Sequence, residues 1–415
     1  MTRWQWLIRL LTRRMWFRAA LFCAFGGALA LAGALVGHTI SYEFATKVGA
    51  KSVDGILSML ASSMLAVTTF SLTAMVSAFS GATSTITPRA VQLLIDDSTA
   101  QNALATFLGS FLFAIVGIIA LSTGLYGETG RVILLAGTII VIVVIVVTLL
   151  RWIEHISRFG RVSDTIDRVE RAALSAVETM HGAVAFDEVT AAGSRGNHPV
   201  MPTGIARITH IDLTVLDGIA KRTNEQIQVH ALPGALVDPG RPLATVTAPL
   251  DDATREEVRQ AFTLSHHRAF DHDPRFGLVV LSEIASRALS PAVNDPGTAI
   301  AVIEAGNRVL MRLLDYEPTS ERSELKGVHV PAVQFSDLIE DLFRPITRDG
   351  AGLVEVDLRL QKALGVLARY SPRAQPLLER AARDAADRAL AALTSKADQD
   401  VLKRTFQQAG LPTFK

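Results

Sequence analysis

Cysteine is nearly absent from this sequence: Cys23 is the only one in 415 residues, and it lies inside an apolar run. No disulfide can therefore close within the chain, and no zinc site can be built on cysteine. Charge is scarce and balanced, with charged residues at 20% and 41 Lys and Arg against 40 Asp and Glu. A net charge of +1 gives no overall basic field, so no nucleic acid is expected as a partner. Also missing are G-x-S-x-G, Walker A, G-x-G-x-x-G and the kinase signatures, so no enzyme is expected and no catalytic residue is assigned.

What the chain does have is apolar length. Hydrophobic residues make up 49%, and the mean hydropathy is +0.31, which excludes a purely soluble chain and a disordered one. The surplus sits in the first 150 residues, in uncharged runs of about 19 residues or more, each able to cross roughly 30 Å of hydrocarbon. Four transmembrane helices are predicted, at about 19–37, 55–80, 103–122 and 132–150. The first run is longer than the apolar core of a signal peptide and its A-x-A matches lie inside it, so it reads as a retained span. Before it, residues 1–18 alternate Arg3, Arg9, Arg13, Arg14 and Arg18 with Trp4, Trp6 and Trp16, an amphipathic basic segment suited to the bilayer interface. Those arginines, with Arg151, Arg158 and Arg161 after the last span, put both termini in the cytoplasm of a plasma-membrane protein. No span holds an acidic or basic residue, which argues against a proton-coupled pump.

The second run carries a stripe. Ser58, Ser62, Thr69, Thr73, Ser77 and Ser80 recur at helical spacing on one face. Such a face can pack against other helices or line a water-filled path, and it is expected to avoid lipid. Further on, Thr87-Pro88-Arg89 starts a short helix, and Ser98 with Gln101 reads as the capping box of the third span.

Beyond residue 150 the pattern changes to a cytoplasmic α+β domain, mostly helical with a small β module. A juxtamembrane helix and linker fill 151–195, the helix running on from the last span to Met180. A β-rich module covers 196–250, with a short helix from Leu213 to Thr223 and a turn at Asp238-Pro239-Gly240. The stretch PGALVDPGRPLATV resembles the turn-rich half of biotinyl and lipoyl domains. No lysine sits at its tip, so no covalent cofactor is expected. A helical region fills 251–415, with candidates including Glu256 to Phe262 and Ala292 to Leu314.

Two polar clusters stand out. Residues 265–274 hold His266, His267, His272, Asp271 and Asp273, which are metal-ligand types without a metal-site spacing, so no metal is assigned and a solvated loop or polar network is expected. Ser290, Asn294 and Asp295 belong to RALSPAVNDPG, where Ser290 and Asp295 read as helix caps at a buried turn, or as a ligand site at the helix start.

The stretches TPRAVQLLIDDSTAQNALATFLGSFLF and RALSPAVNDPGTAI resemble the bacterial predicted membrane proteins of the domain-of-unknown-function 2254 family. The likeness runs over nearly the whole chain and includes DPRFGL. It implies an inner-membrane protein and carries no activity, cofactor or catalytic residue. Two function classes follow from the residues. One is a homo-oligomeric channel- or transport-like protein whose Ser/Thr stripe lines a path, with the cytoplasmic domain assembling or regulating it. The other is a membrane-anchored sensor or scaffold whose cytoplasmic domain binds a ligand or partner. The lipid bilayer is a partner in both.

Overall fold

A computed structural model describes residues 50–415, apart from 96, 124–127, 159, 181–183, 187–195, 317–324, 326 and 412–415, with a few scattered positions before residue 29. The basic segment 1–18 and the span at 19–37 lie, but for those positions, outside the described residues. The chain divides into two compact units, one of 4–84 and 91–161, the other of 162–415 with 85–90.

The first unit is built on three long helices, α1 (Ala50–Thr85), α3 (Ser98–Ser122) and α4 (Glu128–Arg158), with α2 (Pro88–Ile95) between α1 and α3. Three stretches are long and apolar enough to span a membrane: Val53–Gly81, Ser98–Ser122 and Arg131–Arg158. Leu57, Leu60, Met64 and Met75 of α1 share a core with Phe107 and Phe113 of α3 and Leu134, Ile145 and Trp152 of α4. On α4, Ile139, Ile140, Val143, Val146, Val147 and Leu150 face outward, a composition that costs nothing in hydrocarbon.

Two expectations are corrected in this unit. The third span begins earlier than 103, and its cap is Asp97, not Ser98: the Asp97 carboxylate accepts from Ala100 N at 2.8 Å. Gln101 donates its side chain to the Ile95 carbonyl at 2.9 Å. Asp97 takes the extended backbone conformation of a cap while Ser98 is already helical, and His155 Nε2 stands 3.1 Å from Asp97 Oδ1. Nor does one helix run on from the last span to Met180. The chain breaks at Gly160, in the left-handed region at φ +78°, where an added Cβ would stand 3.4 Å from the Ala78 backbone oxygen.

The second unit starts with α5 (Val162–Glu178) and alternates small strands and helices: β1 (Val184–Ala185), β2 (His198–Val200), β3 (Ala206–Ile211), α6 (Leu213–Thr223), β4 (Ile227–Val229), β5 (Leu236–Val237), β6 (Ala244–Val246), α7 (Asp252–Gln260) and β7 (Phe262–Ser265). Helices then dominate: α8 (Pro274–Ala288), α9 (Pro296–Leu314), α10 (Phe335–Asp349), α11 (Val354–Tyr370), α12 (Gln375–Ala392) and α13 (Lys396–Gln408), with β8 (Val328–His329) and β9 (Val333–Gln334) before α10. The candidate helix at Glu256 to Phe262 starts four residues earlier, at Asp252, and Phe262 opens strand β7 instead.

Strands β2-β6-β4-β8 make one sheet and β5-β3-β7 another, while β1 pairs with β9. Both larger sheets enclose a core of Ile208, Ile211, Leu216, Ile227, Val229 and Leu243 with their neighbours. The stretch resembling a biotinyl half-domain does not form a hairpin: β5 pairs with β3 in one sheet, and β6 pairs with β2 and β4 in the other. Aspartates cap many of these helices: Asp212, Asp251, Asp273 and Asp295 each accept from the backbone N–H three residues on. In the bundle, α5 packs on α8 and α9, and α11 packs on α9, α12 and α13. Glu170 of α5 and Arg308 of α9 join through two parallel bonds of 2.6 Å each. Residues 85–90 belong to this unit, where Thr87 Oγ1 donates to Glu283 Oε2 of α8 at 3.0 Å and Arg89 pairs with the same carboxylate.

Candidate functional site

The hydroxyl stripe lies on the open side of α1. Ser58, Ser62, Thr69, Thr73, Ser77 and Ser80 are all exposed, opposite the face that packs through Leu57, Leu60 and Met64. Ser62 Oγ donates to the Ser58 carbonyl at 2.8 Å, Thr69 Oγ1 to Leu65 O at 2.9 Å and Thr73 Oγ1 to Thr69 O at 2.9 Å. These bonds satisfy three of the six hydroxyls within their own helix, which lowers the cost of such a face in lipid. Among the described residues nothing covers the stripe.

The second predicted site is a turn between α8 and α9. Asp295 accepts from Thr298 N at 3.1 Å and from Thr298 Oγ1 at 2.7 Å, and the Thr298 hydroxyl holds this carboxyl below its ordinary range. Asn294 takes the left-handed conformation at φ +49°, which Asn tolerates better than most residues. Ser290 is not a cap: its hydroxyl donates backward to the Arg287 carbonyl at 2.7 Å. The turn is also not buried, since residues 291–295 are exposed and Ser290 is half-buried. Its hydrogen bonds are local, so it needs no surrounding protein to be held. None of the three residues lines the arginine-rich cavity described below.

The polar cluster at 265–274 organises around one ion pair. Arg268 Nε and Nη2 reach the two oxygens of Asp273 at 2.8 and 2.9 Å, and the guanidinium also lies over the Phe276 ring, 4.9 Å from its centre. Asp273 is only 2% exposed and caps α8 through Phe276 N at 3.1 Å. Burial pushes its carboxyl up, and Arg268 pulls against that. His266 and His267 are exposed, while His272 is buried against His210, ring centres 4.8 Å apart. Burial, helped by the charge His272 would carry, lowers His210 to about 4, so this imidazole is neutral at pH 7.

Beside this pair opens a cavity of about 670 Å³, entirely within the second unit. Four arginines line it: Arg207 from β3, Arg241 from the connection between β5 and β6, Arg268 and Arg275. Apolar residues supply the rest of the wall, among them Leu232, Pro233, Leu236, Pro331 and Val333. Arg268 is matched by Asp273, and Arg275 by Asp337 at 2.6 Å and Asp341 at 2.7 Å. Arg207 donates to the Gly234 carbonyl at 2.8 Å. Among the described residues neither Arg207 nor Arg241 has a carboxylate within ion-pair distance. His230, also on the wall, contacts Thr245 Oγ1 at 2.9 Å through Nε2, and burial lowers its pKa. The arrangement is a cationic cleft with aliphatic sides, of the size that encloses a small molecule. It can hold an oxyanion through guanidinium N–H groups.

None of the cleft arginines was singled out from the sequence as a site residue. They come from four separate stretches, and each alone looks like an ordinary surface charge. The available signals were the polar cluster 265–274, which holds Arg268, and the segments PGALVDPGRPL and DPRFGL, which supply Arg241 and Arg275.

A family model described as "Predicted membrane protein (DUF2254)" matches residues 12–365. No curated protein and no solved structure matches the chain.

Proposed function

This chain belongs to the DUF2254 family of predicted membrane proteins, and on that footing we propose that it is a membrane-anchored sensor whose 162–415 unit binds a small anionic ligand. The observation that carries this reading is the cleft, in which Arg207 and Arg241 line an open concavity without carboxylate partners among the described residues. Charge excess inside a concave, partly apolar site favours capture of an anion over release to water. The role is binding and not catalysis, because the remaining charged groups are tied into fixed pairs. The protein sits in the bacterial plasma membrane with both termini and the 162–415 unit in the cytoplasm, a reading supported by the arginines of 1–18 and 151–161. The test is thermal unfolding of the full-length protein in nanodiscs against inorganic phosphate. Saturable stabilisation that Arg207→Gln or Arg241→Gln removes supports a sensor; no stabilisation by phosphate in the intact protein rejects it.

A second reading, a homo-oligomeric channel- or transport-like protein, is favoured by one observation. The Ser58 to Ser80 stripe is not used for packing by the described helices of its own chain. Copies meeting on this face would convert it into a lined path. In that case Thr73→Leu reduces flux in reconstituted vesicles while assembly persists.

A further inference from the structure

We propose that the ligand of the arginine cleft is an aliphatic phosphate monoester, its phosphate held between Arg207 and Arg241 and its carbon chain laid along Leu232, Leu236 and Val333. The inference rests on the anion-binding reading above and specifies its chemistry. Arg268 and Arg275 are already matched by Asp273, Asp337 and Asp341, so an incoming group meets two unopposed guanidiniums. Four arginines set against Asp273, Asp337 and Asp341 leave the cleft a net charge of +1, which favours an anion over a neutral ligand. Arg207 spends one donor on the Gly234 carbonyl, and Arg241 makes no side-chain hydrogen bond or ion pair with a described residue. Most of their N–H groups remain available, more than the two oxygens of a carboxylate use well.

The walls decide the rest of the molecule. Leucine, proline, alanine and valine side chains line the cleft, and among the described residues no aromatic ring other than His230 does. Such a wall gives a flat base little to stack on and gives a methylene chain continuous contact. Leu236 is 51% exposed and Arg241 is exposed, so both can be changed without emptying the core.

The experiment uses the full-length protein in nanodiscs and measures binding of inorganic phosphate and of ethyl, butyl and hexyl phosphate by calorimetry. Affinity is expected to rise about fourfold for each methylene that enters the cleft, the factor set by ordinary methylene burial. Arg241→Gln should weaken every member of the series tenfold or more, and Leu236→Ser should flatten the dependence on chain length while leaving phosphate itself unchanged. Hexyl phosphate should exceed hexanoate by at least tenfold. A second arm offers vesicles of phosphatidylcholine with or without phosphatidic acid. Capture by phosphatidic acid, lost in Arg241→Gln, assigns the phosphate to a lipid headgroup; binding of the soluble esters without vesicle capture assigns it to a free metabolite. Phosphate binding with no gain along the alkyl series, or equal binding of hexanoate, overturns the inference and leaves the anion site standing. Failure of all the anions overturns both.

Discussion

Gly234 and Asp273 stand so close that a Cβ placed on the glycine would lie 2.0 Å from Asp273 Oδ2. Gly234 also has φ +92°, a conformation closed to other residues without strain. The turn that carries Leu232 and Pro233 into the cleft is therefore pressed onto the carboxylate that fixes Arg268. Gly234→Ala should cost about 1–3 kcal/mol or more, since backbone strain and the clash act together. Thermal unfolding of the full-length variant would show it. A melting temperature equal to the parent's would mean that the turn can move off Asp273 freely.

Glu170 and Arg308 make the other fixed pair whose value can be measured. Glu170 is 11% exposed at its side chain and Arg308 54%, so the carboxylate carries most of the burial. Arg308→Met should destabilise more than the double variant Glu170→Gln, Arg308→Met, because the single change leaves a buried charge alone. A double-mutant cycle should give a coupling of about 1–2 kcal/mol; additivity of the two single changes would show that the pair contributes nothing net.

Asp357 makes the stability of the helical bundle depend on pH. It is 3% exposed, its Oδ2 has no hydrogen-bond partner, and burial, reinforced by Glu355, pushes it up to about 8. The native state then keeps a proton that the unfolded chain has lost, so stability falls as pH rises toward 8, by at most about 1.4 kcal/mol per unit. His210, lowered to about 4, acts with the opposite sign below its ordinary value near 6.5, where the unfolded chain takes up a proton that the folded one refuses. The clean window is therefore between about pH 6.5 and 8. The protection of the α11 amides, taken relative to intrinsic exchange at each pH, should fall across it in the parent and stay level in Asp357→Asn. An unchanged slope in the variant would place the titrating group elsewhere.

Asp295→Ala should cost about 0.5–2 kcal/mol through the lost cap on α9, nearer the lower figure because the turn is exposed. Phosphate affinity at the cleft should not change. A variant that melts like the parent yet loses ligand response would promote this turn from a structural element to a working site.

The orientation of the chain is open to labelling. With Cys23 replaced, a cysteine placed at Lys47 or Glu128 should react with an impermeant reagent added outside, and one at Arg158 or Thr413 should not. The reverse pattern would turn the whole reading over.

Much of the fold was legible from period and punctuation. The helix from Leu213 to Thr223 follows from apolar spacing, which acts within a few residues, and Asp295 caps α9 as its position before Pro296 suggests; the candidate helix from Ala292 started four residues too early, because 291–293 form a turn. Three of the four expected spans, those after residue 50, were legible because hydrocarbon thickness demands long uncharged runs, while the one at 19–37 lies almost wholly outside the described residues. Other features were not legible because they depend on what is distant in sequence. A capping pattern does not say whether its turn is covered, and the turn at Asp295 is open. A Ser/Thr stripe does not say which face a neighbour takes, and here Leu57, Leu60 and Met64 take it. The cleft required Arg207, Arg241, Arg268 and Arg275 to converge from four places, and no local pattern records that.

The connection from β5 to β6 leaves one sheet and enters the other. Val237 pairs with Ala206 on one side of it, and Ala244 pairs with Val200 and Val229 on the other. A strand that slips by one residue turns its inward side chains outward. With only residues 238–243 as slack, a slip in either sheet would drag the strand of its neighbour out of step as well. The short strap therefore clamps two registers at once, which is how strands of only two and three residues can hold an unambiguous alignment.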